Sequence, residues 1–515
     1  MADRPRRGFL LALSAAALLF GAYFSWKAPL GSWNNSVFGA QMWNEADPGG
    51  YYIPSAHELF SSGGKLLYPG HPGLTLQLLL RAVQSLYFLT APSSMGFTPF
   101  IARHLSSVFF FSKLLMTFLH VVSFWLLYSF ALKTLGRDRP ARLAVLAYAT
   151  SLPVLYYLSR ISVEPLVSIF FLSTFLAAWA CLDAKSPKRS LAMAALAGAL
   201  SVSGLATKFH LLWPLPLIGF LALRKARRPA LAAYAGSAVL AFILYSRILD
   251  WRDFFAYWDV AGMTGSASSG LGGLISRQLG IFPSIAMGLA HMPPGNWLPS
   301  RTKSGLFLLC EAPFLAVSLY GLVRSAQRKY PPPQRLFWPS LAAAYTLLIW
   351  LYRAAGVSGD FHDFHYLFVF VLLSSLFFAQ AADAIISRLS SASGGLKPAL
   401  LTLLLLAAVH AFPIAAVIDS RSRDAEYFAH IEAFLDALSD VPSGSHIEVV
   451  GSSPFSVARL LGLAVLRDSP PTRSKLLDEV SGVFIFSGKT GPEISAVIEV
   501  SKAGGVNSAK ILGKE

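Results

Sequence analysis

The sequence predicts a polytopic α-helical membrane protein of about eleven spans that ends in a small soluble α/β domain. Three observations carry that expectation. The 515 residues are 54% hydrophobic and only 14% charged, with a mean hydropathy of +0.54, more apolar surface than one soluble core can hide. The Lys and Arg residues behind the formal net charge of +16 fall in short runs between apolar segments rather than on one basic face. Such runs are topology signals, and no nucleic-acid partner is expected. From Asp419 onward the long apolar runs give way to amphipathic and strand-like segments.

A span takes about 20 mainly apolar residues. On that rule the candidates are Gly8 to Trp26, Ser106 to Leu132, Arg142 to Leu158, Glu164 to Leu182, Leu191 to Ala206, Leu211 to Leu223, Ala230 to Ile248, Gly305 to Val323, Phe337 to Tyr352, Tyr366 to Ala382 and Ala399 to Ile418. The first has the charged start and apolar run of a signal peptide, but "AYFSWKAP" is a poor small-residue cleavage site, so it is expected to remain as a helix. With the N-terminal "RPRR" in the cytoplasm, the loops "KTLGRDRPAR", "DAKSPKRS", "RKARRP", "RSAQRKYPPPQR" and "ISRLSSASGGLKP" all fall on that same side, as the positive-inside rule requires. The outer face then receives the long loop 27–105, the turn around Arg160, Lys208 with His210, the loop Leu249 to Lys303, the segment Arg353 to His365 and the C-terminus. A multi-pass protein of a bacterial-type inner membrane, with its polar residues gathered outside the cytoplasm, is the expectation.

Within the outer loop, Leu74 to Leu89 is apolar but carries Gln77, Arg81, Gln84 and Ser85 at helical spacing, which suits a helix lying in the interface better than a span. Counting it as a span would also invert every later loop. Residues 1–418 thus form the membrane domain and 419–515 a soluble one. In the latter, "RDAEYFAHIEAFLDALSD", "SVARLLGLAVL" and "GPEISAVIEVSKAGG" read as helices and "HIEVVG", "GVFIFSG" and "SAKILG" as strands. The "GSSPFS" turn lacks the glycine pattern of a phosphate-cradling loop. Cys181 and Cys310 lie in different apolar segments, so neither a disulfide framework nor a CxxC metal site is indicated.

The chemistry-bearing residues are concentrated in "NEADPGGYYIPSAHELFSSGGKLLYPGHPGL", residues 44–74. Asp47 precedes a short helix expected over Tyr52 to Ser62 and stopped by Gly63 and Gly64. "GHPG" then turns the chain into the interfacial helix, so a carboxylate and the imidazole of His71 stand where aqueous and lipid substrates meet. Beyond this loop come Arg103 before the second span, the acid of "SRISVEPLVSIFF" and the lysine of "ATKFHLLWPLP".

This order resembles the first outer loop and following spans of polytopic glycosyltransferases that use lipid-phosphate sugars. They form the GT-C superfamily, and the likeness is greatest to its group of protein O-mannosyltransferases and aminoarabinose transferases. The resemblance covers the first 225 residues or so and extends over the rest by topology. It implies a GT-C-like fold, a polyprenyl-phosphate sugar donor held among membrane lipids, and an acceptor that is a lipid, a glycan or a protein. It also implies Asp47 as catalytic base, Glu164 as the second acidic position, and His71, Arg103 and Lys208 near the donor phosphate. Glu45, Tyr51, Tyr52 and His365 are candidate acceptor or sugar contacts. The sequence departs from the family pattern in having His365 where an arginine is usual and Ala46 between Glu45 and Asp47.

The residue types suit the chemistry. When a glycosidic bond to phosphate breaks, fixed cations stabilise the leaving charge without reorganising, and a positioned carboxylate can take the acceptor hydroxyl's proton. A single displacement inverts the anomeric centre and needs no paired acid and nucleophile. Each residue also has a plainer reading. Asp47-Pro48-Gly49 is an ordinary turn sequence, His71 can simply shape a turn before Pro72, Glu164 at a helix start meets the dipole, and Arg103 and Lys208 can be interfacial snorkelling cations. Tyr51, Tyr52, Trp251, Tyr257, Trp258 and Trp297 fit an aromatic belt better than sugar stacking.

"GDFHDFHY" offers Asp360, His362, Asp363 and His365, types that bind zinc or manganese, but its spacing is not that of a zinc helix motif and a hydrated turn is the commoner use. No cofactor is therefore expected. Two other classes stay open. A transporter or flippase for a lipid-linked sugar is disfavoured because no broken spans repeat in two halves and no acid or base is expected deep in mid-span. A noncatalytic lipid-binding scaffold would tolerate Asp47→Asn and Glu164→Gln.

Overall fold

The structure is a computed structural model. It describes residues 4–27, 36–37, 40–41, 48–59, 73–208, 212, 214–249, 303–326, 336–356, 367–392, 400–402, 404–411, 413–419, 422, 445–450, 484–487, 494–500 and 506–511. Helix α1 (Arg4–Lys27) is followed by a two-stranded antiparallel pair, β1 (Ser36–Val37) and β2 (Ala40–Gln41), and by three helices that precede the second long one: α2 (Pro48–Glu58), α3 (Leu74–Phe88) and α4 (Phe97–Arg103). Then come α5 (Leu105–Leu135), α6 (Asp138–Ala149), α7 (Leu152–Tyr157), α8 (Glu164–Leu182), α9 (Pro187–Thr207), α10 (Leu215–Ala222), α11 (Arg228–Tyr245), α12 (Lys303–Ala326), α13 (Phe337–Gly356) and α14 (Phe368–Ala392).

Six of the described helices are long and apolar enough to cross a membrane, and a seventh span is reached if Leu400–Ala411 and Pro413–Asp419, bent by 50°, count as one. Helices α12 and α13, of 24 and 20 residues, overlie two further expected spans. The expected span Arg142 to Leu158 is instead two helices. In one continuous helix Pro153 would have no N–H for the Ala149 carbonyl and its ring would clash there, so α6 ends at Ala149, Ser151 is extended, and α7 restarts at Leu152 with Pro153 in its first turn, where no N–H is needed. Among the described residues of the expected span Leu211 to Leu223, the longest helix is the eight-residue α10, which begins at a Pro-Leu-Pro sequence.

Close helix approach is set by small residues. A Cβ on Gly21 of α1 would strike Thr117 of α5, one on Gly198 of α9 would strike the Tyr234 carbonyl of α11, and one on Gly321 of α12 would strike the Phe377 carbonyl of α14. Helices α1 and α5 run antiparallel: Phe9 lies at Arg142, Trp125 Nε1 donates to Ser14 Oγ at 3.0 Å, and Gly21 meets Thr117. Helix α14, whose inner face holds Phe368, Leu372, Phe378 and Ala382, packs on α6, α12, α8 and α5 and fills the centre of the described bundle.

The basic loops meet at one end of the bundle. Lys133 Nζ lies 3.4 Å from Asp183, Arg137 Nη1 lies 3.0 Å from Asp383 with Arg139 on the other carboxylate oxygen, and Arg139 also donates to the Asp383 carbonyl and to Ser387 Oγ. Arg224 stands over Trp338 at 5.4 Å. Gly136, at φ 70°, caps α5 at this end.

In the C-terminal segment β3 (Ser445–Val450) pairs in parallel with β4 (Phe484–Ser487) and β5 (Ile494–Val500), and β5 pairs antiparallel with β6 (Val506–Ile511), giving the order β4-β3-β5-β6. Three strands fall where the sequence predicts them. The fourth corrects an expected helix: "ISAVIEV" has four β-branched residues in seven, which favour a pleated strand over helical packing. The two other expected helices lie outside the described residues.

Candidate active site

Glu164 and Lys208 form a buried ion pair at the end of the bundle opposite the basic loops. Lys208 Nζ donates to Glu164 Oε1 at 2.6 Å, and the side chains are 4% and 3% exposed. The local sequence explains the meeting. Helices α8 and α9 form an antiparallel hairpin whose short connection, 183–186, ends with Ser186 capping α9 through the Arg189 N–H ahead of Pro187, so the start of α8 and the end of α9 return to the same face. Glu164 occupies the first turn of α8, where the helix dipole favours an anion. Lys208 leaves the helical conformation at φ −152°, ψ 83°, its N–H still bonded to the Gly204 carbonyl.

Helices α2 and α3 are seated against the residues that adjoin this pair. Gly73, at φ 123°, starts α3 in a space closed by Tyr52 and Val163: a Cβ there would lie 2.7 Å from Tyr52 Cε1 and 2.9 Å from Val163 Cγ1. Val163 directly precedes Glu164. Two residues beyond Gly73, Thr75 Oγ1 lies 2.6 Å from Thr207 Oγ1, and Thr207 directly precedes Lys208. Arg160, 3% exposed, is held over the Tyr156 ring at 3.6 Å and donates to the Tyr156 hydroxyl.

Three residues of the polar stripe of α3 turn to α2 rather than to water, and Ser85 stays exposed. Gln77 accepts from Ser55 Oγ, Gln84 Nε2 donates to the Ile53 carbonyl at 3.0 Å, and Arg81 Nη1 donates to the His57 carbonyl at 2.7 Å while its guanidinium stacks 4.1 Å from the Phe97 ring. Burial holds the Arg81 guanidinium below its ordinary pKa, with the Glu58 carboxylate acting the other way. Helix α3 thus keeps its polar side for α2 and turns Leu86 and Leu89 outward. That departs from the expected interfacial arrangement: Gln77 and Gln84 each exchange water for one hydrogen bond to α2, with the Ser55 hydroxyl and the Ile53 carbonyl.

Of the other sequence-predicted residues, Tyr52 is 3% exposed with its ring on Gly73. Arg103 is the last residue of α4 and Tyr51 lies within α2, their side chains being outside those described. Glu45, Asp47, His71 and His365 lie outside the described residues, as does the Asp360 to His365 cluster. Helix α2 begins at Pro48, four residues earlier than expected, which makes Asp47 the residue immediately before its first turn. A proline at the first helical position is readily accommodated. Among the described residues no group of three or more His, Cys, Asp and Glu is placed to hold a metal ion.

The sequence reading missed Thr75 and Thr207, which carry no motif signal of their own, and saw Gly73 only as part of the "GHPG" turn. It also missed ionisable groups inside the bundle. Glu311 of α12 is fully buried and accepts from the Leu152 N–H that the α6–α7 break leaves without a helical partner, and His120 and His410 are 0% and 1% exposed. The expectation of no acid or base in mid-span is therefore corrected.

No protein-family model matches the chain, and no curated protein sequence matches it. Solved structures to which it is similar include ArnT from Cupriavidus metallidurans bound to undecaprenyl phosphate, at 12% identity and a TM-score of 0.49 over 96% of this chain and 93% of that one. The archaeal oligosaccharyltransferase AglB from Archaeoglobus fulgidus, in complex with an inhibitory peptide and a dolichol-phosphate, is similar at 12% identity and a TM-score of 0.43 over 95% and 69%. The mycobacterial arabinofuranosyltransferase AftD is similar at 18% identity and a TM-score of 0.46 over 96% and 35%. Each of these likenesses is distant.

Proposed function

We propose that the protein is a membrane glycosyltransferase that moves a sugar from a polyprenyl-phosphate donor to a lipid, glycan or protein acceptor on the outer face of a bacterial-type inner membrane, by an inverting single displacement. The observation that carries this reading is the buried Glu164–Lys208 pair beneath the helices of the first outer loop. It supplies a fixed cation and a fixed carboxylate, while Asp47 and His71, which the resemblance names, flank α2 and α3 in the chain. Lys208, with Arg103 and His71, would stabilise the departing phosphate. Asp47 would take the acceptor proton, and Glu164 would orient Lys208 and the acceptor. Residues 1–418 would form the catalytic membrane domain and 419–515 an extracytoplasmic domain.

The test is release of free polyprenyl phosphate from a pool of polyprenyl-phosphate sugars by the purified protein, with native membrane extract as acceptor source. Release by wild type and its loss in folded Asp47→Asn support the reading. Equal release by the variant moves the base to Glu45 or Glu164. No release from any donor with any extract shifts weight to transport of a lipid-linked sugar, a reading that Glu311, His120 and His410 inside the bundle favour.

A further inference from the structure

We infer that Thr75, Thr207 and Gly73 form a register latch that seats the first outer-loop helices on the Glu164–Lys208 pair, and that they are positioning residues of the transfer reaction. The inference rests on the transferase reading. Three contacts define the latch. Thr75 at the start of α3 bonds Thr207 at the end of α9, Gly73 admits the Tyr52 ring of α2, and the same glycine touches Val163 at the start of α8. Each partner is one residue from Glu164 or Lys208, or belongs to a helix that begins directly after Asp47 or two residues beyond Pro72. A shift of α3 by one helical position would therefore break all three contacts beside the ion pair.

The latch has a direction. Thr207 Oγ1 already donates its single proton to the Ser203 carbonyl at 2.7 Å, so in the 2.6 Å bond Thr75 donates and Thr207 accepts. Thr75 is 7% and Thr207 0% exposed, so water does not replace either partner. Removing Thr75's hydroxyl leaves Thr207 still donating to Ser203. Removing Thr207's leaves the Thr75 proton buried with no acceptor there, the costlier loss. The two threonines are therefore unequal, which a generic packing contact would not make them.

The experiment compares Thr75→Val, Thr207→Val, the double variant and the two Ser variants in the polyprenyl-phosphate release assay, with hydrogen exchange of residues 74–80 measured on the same full-length preparations. The latch predicts a roughly tenfold fall in kcat with KM for the donor changed less than threefold, a larger fall for Thr207→Val than for Thr75→Val, and a double variant no worse than the worse single. It also predicts recovery by Ser, and faster exchange in every Val variant. Multiplying losses in the double, or unchanged kcat in a Val variant whose exchange has risen, would overturn the positioning role while leaving the transferase reading intact. Absence of release by wild type would sink both, and is distinguished by its independence of these substitutions.

Discussion

Lys208 donates to Glu164 across 2.6 Å at the open end of a helical hairpin, and neither side chain is more than 4% exposed. Two charges taken out of water are expensive, and their attraction returns that cost only while both are present. Glu164→Met or Lys208→Met alone should lower unfolding stability by about 3–5 kcal/mol, whereas the double substitution should recover much of it. Denaturation in mild detergent measures the stability arm and polyprenyl-phosphate release the chemical one. Recovered stability without recovered release separates the pair's structural role from its proposed catalytic role. A double variant as unstable as the singles would show that the pair is not the coupled unit its geometry describes.

Gly321 and Gly236 are both helical glycines with opposite surroundings. A Cβ on Gly321 would run into the Phe377 carbonyl, while one on Gly236 would meet nothing within 4 Å. Gly321→Ala should separate α12 from α14 and cost about 1–3 kcal/mol. Gly236→Ala, in the interior of α11, should be neutral or gain up to about 1 kcal/mol from helix propensity. Parallel melts of the two variants decide it, and equal effects would contradict the close approach of α12 and α14.

The long apolar runs made the membrane class and most long helices legible, because a span announces itself by composition alone. The α6–α7 break was legible only in hindsight, since Pro153 marks it but a hydropathy sum over Arg142 to Leu158 does not register one proline. The strand at Ile494–Val500 was misread because "ISAVIEV" does not alternate strictly, and a short, mainly apolar run cannot be told from a helix segment by periodicity alone. At the candidate site, Glu164 and Lys208 were each visible as isolated charges at span ends. Their pairing was not, because the residues lie 44 apart and only the hairpin closes that distance. Thr75 and Thr207 were invisible for a different reason, since their importance comes from what they touch and not from what they are, while Gly73 was legible only as part of the "GHPG" turn.

Asp383 is 5% exposed at the basic end of the bundle and carries Arg137 and Arg139, both of which reach solvent. Because the arginines are exposed, Asp383→Asn should cost less than a fully buried pair, about 1–2 kcal/mol. The site at the opposite end should not feel it. Expected is a lower melting temperature with kcat and KM for polyprenyl-phosphate release within twofold of wild type. A tenfold fall in kcat at unchanged fold would reveal coupling across the bundle.

The arrangement of basic loops fixes a prediction about the far end of the chain. Lys133 with Asp183, Arg139 with Ser387 and Arg224 with Trp338 bring residues of four of the five expected basic segments to one end of the bundle, and α1 enters with its charged N-terminus toward Arg142 at that end. If that end is cytoplasmic, as positive-inside bias requires, an odd number of spans places residues 419–515 on the other side. A phosphatase fused after Glu515, active only outside the cytoplasm, should be active, and the same fusion within the loop 183–186 should be silent. Activity of the loop fusion would invert the whole assignment. Silence at the C-terminus with silence in the loop would instead make the number of spans even, and would take the C-terminal sheet away from the face that holds Glu164 and Lys208.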